Sequence, residues 1–153
     1  MIKTHSIVAV GLLAMLAGTA SAEPVAPDAV MFNDLTVPES LTGQPGDPAK
    51  GREVFADRKL GNCLACHANS DQSDQLFHGD VGPSLDGVGD RYGEAELRAI
   101  VVNSKAVFSD ETVMPGFYSL KVGLNPSKDK AGKTILSAQD VEDVVAYLGT
   151  LKE

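Results

Sequence analysis

The most constraining feature of this chain is a five-residue motif at positions 63–67, which reads Cys-Leu-Ala-Cys-His. The sequence holds only two cysteines and both lie in this motif, so none remains for a structural disulfide or a four-thiolate cluster. A Cys-x-x-Cys-His motif is typical of covalent haem c attachment. Each thiol adds to one vinyl group, and the histidine reaches the iron. We therefore predict one covalent haem c on Cys63 and Cys66, with His67 as an axial ligand of its iron.

Three other kinds of site use cysteines at this spacing. A thioredoxin-like pair follows a strand in a βαβ unit, whereas residues 48–60 have a helical pattern. A zinc site could recruit His78, but adjacent Cys66 and His67 would strain tetrahedral geometry, and the usual spacing of zinc ligands is absent. A simple disulfide between Cys63 and Cys66 would leave His67 without a role.

The first residues of the chain predict export. Lys3 and His5 precede an apolar run over residues 7–16, and residues 20–22, Ala-Ser-Ala, have the small-x-small form of a signal-peptidase site. The apolar run is too short for a permanent membrane-spanning helix. We therefore expect a signal peptide over residues 1–22 and a periplasmic mature protein without a membrane partner. Export agrees with haem c, which bacteria attach outside the cytoplasm.

The charge of the chain limits its partners. Removing the predicted signal peptide deletes Lys3 and changes the formal charge from −8 to −9, since the other charged residues lie beyond it. So acidic a protein is a poor match for nucleic acid or anionic lipid. Residues 23–153 suit one domain, yet they contain no Trp, three Tyr and five Phe. A buried haem would supply apolar volume that these few aromatics lack.

Residues 23–47 form a proline-rich arm before the haem domain at 48–153. Four prolines make a long helix there unexpected. The arm is nevertheless rich in apolar residues, which predicts either packing on its own domain or an apolar surface for a partner. These residues are Val25, Val30, Met31, Phe32, Leu35, Val37 and Leu41.

Three main helices are expected in the haem domain, over residues 48–60, 94–104 and 137–151. The first begins with Asp47 as N-cap and Pro48 at the first helical position, and the last begins with a capping-box pattern at Ser137. Gly51 and Phe55 share one face of the first helix. Glycine in a helix interior costs about 1 kcal/mol relative to alanine, which indicates that another helix, the last one, approaches closely there.

The second axial ligand is expected to be a thioether. Beyond the leader only Met31 and Met114 are available. Met114 precedes a proline in a loop, and this rigid extended conformation can present its sulfur to the iron. His78 is less suitable, because it follows His67 closely on a loop that leads to a turn expected on the proximal side.

Three more residues are expected beside the haem. The carbonyl of Pro83 could accept a hydrogen bond from Nδ1–H of His67 and so fix the orientation of the ring. Arg91 could pair with a haem propionate, and Tyr92 could donate a hydrogen bond to one.

Taken in order, these motifs resemble class I cytochromes c over about residues 48–151. The resemblance implies an all-α fold around one low-spin haem, with His67 proximal, Met114 distal and an extended N-terminal arm added. Within this class, residues 77–89 and 112–118 resemble SoxX, the family of monohaem subunits of sulfur-oxidising SoxAX complexes. The arm also fits that family.

The resemblance implies electron transfer rather than catalysis by this chain alone. A larger SoxA-type cytochrome c subunit would form a heterodimer with it and carry the haem at which thiosulfate is joined to a carrier-protein cysteine, an L-cysteine S-thiosulfotransferase reaction. This chain would accept the electrons and pass them to a downstream cytochrome. The alternative is a free-standing monohaem electron carrier. A peroxidase-like enzyme would need an open distal position, which a firm Met114 ligand would deny.

Overall fold

The computed structural model describes residues 23–121, 123, 125–128 and 130–153, so the predicted signal peptide lies outside the described residues. The helices are α1 (Pro48–Ala56), α2 (Val88–Arg91), α3 (Glu94–Val107) and α4 (Ala138–Leu148), with short 3-10 turns at Cys63–Ala65 and Ser70–Gln72. Over these described ranges there is no β-sheet, only an isolated bridge between Asn33 and Thr36. The fold is all-α, as predicted.

Side-chain caps set where two of the helices begin. The Asp47 carboxylate accepts a hydrogen bond from the backbone N–H of Ala49 at 2.9 Å. At α4, the Ser137 amide donates to Asp140 Oδ2 at 3.0 Å and the Asp140 amide donates to Ser137 Oγ at 3.1 Å. Both expected caps are confirmed by these hydrogen bonds. Each cap satisfies amides that the first turn of a helix leaves unpaired.

The ends of the helices differ from the sequence prediction. Helix α1 ends at Ala56 rather than residue 60, since Asp57 adopts an extended conformation with ψ of 118°. Helix α3 runs past residue 104 to Val107, and α4 ends at Leu148. The short helix α2 was not predicted.

Helices α1 and α4 cross at a glycine. A Cβ on Gly51 would lie 1.9 Å from the Asp143 carbonyl oxygen and 2.8 Å from Tyr147 Cβ. Only glycine therefore permits this crossing. Next to it, the rings of Phe55 and Tyr147 meet edge to face with centroids 5.5 Å apart. The predicted contact between the first and last helices is confirmed.

The N-terminal arm packs on its own domain. Val37 and Leu41 are buried in the same core as the helices. The Val37 amide donates to the Ala95 carbonyl at 2.9 Å, and the Leu41 amide donates to Glu142 Oε1 at 2.8 Å. Residues 23–47 thus share the core of the haem domain, although Met31 on the arm remains exposed.

A buried ion pair joins the arm to α3 and α4. The side chains of Arg98 and Glu142 are each only 3% exposed, and Arg98 Nε lies 3.0 Å from Glu142 Oε1. Arg98 Nη1 also donates to the Val37 carbonyl at 3.0 Å. Burial alone would lower the pKa of Arg98, but hydrogen bonds and attraction from Glu142, and then from Glu94, raise it overall. The guanidinium therefore stays charged in the core.

Candidate haem site

The attachment motif forms one tight turn. The amides of Cys66 and His67 both donate to the Cys63 carbonyl, at 3.1 and 3.0 Å. Both cysteines are partly buried and neither is in a disulfide, and burial raises the pKa of the Cys63 thiol to about 12. The turn therefore brings two thiols and an imidazole together within five residues.

The imidazole of His67 is held from one side by the Gly82-Pro83 turn. His67 Nδ1 lies 2.7 Å from the Pro83 carbonyl oxygen, so the expected hydrogen bond is present. A Cβ on Gly82 would lie 2.3 Å from His67 Cε1, so no larger residue fits against the ring. With Nδ1 donating to a carbonyl, Nε2 is the nitrogen left to bind a metal.

The loop before this turn is hydrogen-bonded to the attachment motif. The Gly79 amide donates to the Leu64 carbonyl and the Gly82 amide donates to the Cys66 carbonyl, both at 2.8 Å. A Cβ on Gly79 would lie 2.2 Å from the Ala65 oxygen. Residues 79–82 therefore run directly along the motif.

Arg91 has a role that sequence reasoning missed. Its Nη1 donates to the Asp86 carbonyl at 2.6 Å and its Nη2 to the Ser84 carbonyl at 2.9 Å. The guanidinium thus fixes the backbone that follows Pro83. Tyr92 lies next to it, partly buried against the core. The expected contacts of Arg91 and Tyr92 with haem propionates stay predictions.

Met114 is positioned by helix α3. Ser104, fully buried on that helix, donates from Oγ to the Met114 carbonyl at 2.7 Å. Helix α3 is kinked at Asn103, with φ of −157° and ψ of 88°, and the Phe117 amide donates to the Val101 carbonyl just before the kink. Helix α3 therefore holds the backbone at Met114 and again at Phe117, and the Met114 side chain is partly buried beside the core.

His78 is occupied by its own loop. Its Nδ1 accepts from the Asn69 amide at 3.2 Å, and its Nε2 lies 3.0 Å from the Gln72 carbonyl oxygen. Neither ring nitrogen is free for a metal in this arrangement. Within the described part of the chain, no group of three or more His, Cys, Asp or Glu side chains is arranged to hold a metal ion.

A buried polar network connects the segment after His67 to α4. The Tyr147 hydroxyl accepts from Asn69 Nδ2 at 2.9 Å and from Gln72 Nε2 at 3.1 Å, and donates to Asp71 Oδ2 at 2.7 Å. Burial, and then the bond to Asp71, raise the pKa of Tyr147 to about 12. Arg52 of α1 pairs with Asp71 and Asp74 at the edge of this network.

These features fit a covalently attached haem. Two adjacent thiols can form thioethers, one imidazole presents Nε2, and a partly buried thioether lies on a constrained loop. The model of the cytochrome c family matches residues 48–152.

The chain belongs to the cytochrome c family.

This cytochrome c therefore carries one covalently bound haem, and Cys63 and Cys66 supply the attachment motif. Its structure is similar to the crystal structure of SoxXA from P. pantotrophus, with a TM-score of 0.78 and 44% identity over 85% of this chain and 99% of that chain. It is thus a SoxX-like class I cytochrome c.

A second similar structure is the c-type cytochrome SorU from Sinorhizobium meliloti. It has 25% identity over 69% of this chain and 90% of that chain, with a TM-score of 0.45. A score this low does not support a functional comparison. No curated protein sequence matches this cytochrome c significantly. Among the described residues, no helix has the length and apolarity needed to cross a membrane.

Proposed function

We propose that this SoxX-like cytochrome c is the electron-transfer subunit of a periplasmic thiosulfate-oxidising complex. The observation that carries the proposal is its 44% identity to the SoxXA structure, over nearly the whole of that chain. The partner is a larger SoxA-type cytochrome c subunit, and the signal peptide over residues 1–22 directs the chain to the periplasm. The haem supplies one-electron chemistry, as iron changes between its ferric and ferrous states.

The axial ligands in this proposal are His67 and Met114. The Pro83 carbonyl holds the His67 ring and leaves Nε2 for the iron. Ser104 holds the backbone of Met114, while Met31, the other methionine among the described residues, lies exposed on the arm. A thioether ligand stabilises ferrous iron and raises the reduction potential, which suits a subunit that accepts electrons.

The role of the chain is to receive electrons rather than to handle sulfur. When thiosulfate is joined to a carrier-protein cysteine, two electrons leave the newly bonded sulfur pair, and each must be taken by an oxidised metal centre. Both cysteines of this chain are used for haem attachment, so no thiol remains to accept a sulfane group. The electrons pass from the SoxA-type subunit to this haem, and then to a downstream cytochrome.

A reconstitution tests the proposal. The haem-loaded protein is mixed with a purified SoxA-type subunit and the thiol-bearing carrier protein, and the spectrum of this haem is followed after thiosulfate is added. We expect one complex in gel filtration and reduction that requires both other proteins. If the protein runs as a monomer in every mixture, and thiosulfate-dependent electron transfer proceeds equally well without it, the free-carrier alternative replaces the proposal.

A further inference from the structure

The loop over residues 75–81, called here the apolar loop, exposes three large apolar side chains. Leu76 is as exposed as in an extended peptide, Phe77 is 61% exposed and Val81 is 67% exposed. Single exposed apolar residues are ordinary on protein surfaces, but a cluster of them within six residues marks an interaction site.

This loop lies beside the point of haem attachment. The loop is hydrogen-bonded to the attachment motif through Gly79, whose amide donates to the Leu64 carbonyl, and the next residue after the loop, Gly82, donates to the Cys66 carbonyl. Val81 directly precedes the glycine that packs on the His67 ring. A protein bound to the apolar loop would therefore sit next to the thioether edge of the haem, where electrons enter or leave over a short path.

The segment that contains the loop is mainly acidic, because its five aspartates outnumber the two guanidinium groups that contact it, those of Arg52 and Arg91. Residues 60–90 contain no Lys or Arg. Arg52, the basic residue that reaches this region from α1, is paired with Asp71 and Asp74. Asp80 lies exposed within the loop itself. The aspartates of this segment are Asp71, Asp74, Asp80, Asp86 and Asp90. An apolar loop that carries an exposed aspartate in a mainly acidic segment fits a partner with an apolar site flanked by Lys or Arg.

We propose that the apolar loop is the surface on which the larger SoxA-type cytochrome subunit docks, through an apolar site with a basic rim. This inference rests on the proposed function and names the contact that it needs. We place the contact on this loop rather than on the N-terminal arm, because the backbone of the arm and its residues Val37 and Leu41 pack on its own domain, and Met31 and Leu35 are the exposed large apolar side chains that it retains.

A permanent subunit fits this surface better than a transient acceptor does. Exposed Leu and Phe side chains promote aggregation in a protein that diffuses alone, whereas a stable partner covers them. Stable interfaces bury on the order of 800 Å² per partner. Energetically dominant residues lie at the centre of such interfaces, inside a rim that excludes water. The apolar loop supplies apolar side chains for such a centre, and Asp80 supplies an exposed acidic side chain beside them.

The test compares two double variants of the haem-loaded protein. Leu76→Ser with Phe77→Ser removes apolar side chains from the loop, and Met31→Ser with Leu35→Ser removes exposed apolar side chains from the arm. Affinity for the SoxA-type subunit is measured by titration calorimetry. We expect the loop variant to bind about 100-fold more weakly or worse and the arm variant to bind like wild type, with unchanged haem spectra in both.

A charge variant tests the rim independently. Asp80→Lys should slow association and flatten its dependence on ionic strength, because an acidic contact to the basic rim is reversed. Glu39→Lys, an equal change of charge on the arm, serves as the control. Rate constants from stopped-flow mixing at several salt concentrations give the comparison.

The outcomes separate this inference from the proposed function. If the wild-type pair binds and the loop variant binds equally well, the docking role is wrong and the heterodimer stands. If the loop variant changes the haem spectrum, the loop lines the haem pocket, and the docking role is also wrong. If the loop variant still binds the SoxA-type subunit but no longer reacts with a downstream cytochrome, the loop binds that cytochrome and our assignment of the SoxA-type subunit to it is wrong. If the wild-type protein forms no complex at all, both proposals fail.

Discussion

Gly82 shows how closely one residue can control the position of His67, the proposed metal ligand. Replacing it with alanine would place a Cβ about 2.3 Å from a ring carbon of His67, far inside contact distance. We expect Gly82→Ala to displace the ring and to lower the free energy of unfolding by about 1–3 kcal/mol, with a weakened low-spin haem spectrum. Thermal unfolding of the holoprotein and its absorption spectrum measure both effects.

Gly93→Ala is the matched control for this change. Its nearest neighbour to a new Cβ is Glu96 Oε2 at 3.5 Å, an ordinary contact. Equal stability and equal spectra in the two alanine variants would show that the His67 ring does not depend on the absence of a side chain at Gly82.

Met114 carries the second prediction at the scale of single residues. Met114→Ala should abolish the sulfur-to-iron charge-transfer band of the oxidised protein, because the thioether would no longer reach the iron. Met31→Ala and His78→Ala should keep the band, since one side chain is exposed on the arm and the other is bonded to its own loop. Absorption spectra of the three ferric variants decide the ligand. A band retained in Met114→Ala and lost in His78→Ala would reverse the assignment.

Residue-scale chemistry was predictable where it is local in sequence. The contact between His67 and Pro83 followed from a motif and a nearby turn. The hydrogen bond from Ser104 to Met114 could not be predicted in this way. Ser104 directly follows a kink at Asn103, and no proline or glycine at that position indicates a kink in the sequence. The carbonyl contacts of Arg91 were also missed, since the direction of a long side chain is set by the folded backbone around it.

Among the elements, α4 is connected to residues 69–72, which follow His67, through the hydroxyl group of Tyr147. Tyr147→Phe would remove the hydroxyl acceptor of the buried Asn69 amide and one of the two acceptors of the Gln72 amide, which keeps the Arg52 carbonyl. We expect a loss of about 1–3 kcal/mol in the free energy of unfolding at neutral pH. Urea unfolding of the haem-loaded protein measures it, and Tyr118→Phe is the control, because the Tyr118 hydroxyl only donates to the Val25 carbonyl and lies outside this network.

The same substitution should become less costly at high pH. The pKa of Tyr147 is raised from 10.0 to about 12 in the folded protein. The unfolded chain therefore releases this proton first, and wild type loses stability as pH rises from about 10 toward 12. Tyr147→Phe lacks this loss, so the gap between the two proteins should shrink across that window. A constant gap from pH 8 to 12 would contradict the raised pKa.

The ion pair between α3 and α4 gives a second prediction for the elements. Glu142→Gln leaves the buried Arg98 charge without its buried counter-ion, with only the exposed Glu94 as a partner, and weakens the acceptor of the Leu41 amide. We expect a loss of about 3–5 kcal/mol and faster proteolysis within residues 23–41. Glu94→Gln, which alters the exposed partner of Arg98, should cost less than about 1 kcal/mol. Similar losses in both variants would mean that burial of the pair does not matter.

At the scale of the whole molecule, the all-α architecture was predictable and the position of the arm was not. The order of the haem motif, the Gly-Pro turn and the Met-Pro loop between helices indicates the fold. For the arm, the sequence predicted either packing on its own domain or an apolar surface for a partner, because a pattern of apolar residues does not indicate which surface they contact. The deciding contacts come from Arg98 and Glu142, charged residues that a sequence pattern assigns to the surface.

The crossing of α1 and α4 also affects how fast the chain can fold. Gly51 and Asp143 meet across roughly 90 residues of sequence, and the entropy cost of closing a loop falls by about 0.6 kcal/mol for each halving of its length. If His67 and Met114 bind one iron, as we propose, roughly 50 of those residues would leave the closing loop. The prosthetic group would then act as a cross-link that brings the first and last helices within reach of each other, and we expect holoprotein to refold faster than the Met114→Ala variant.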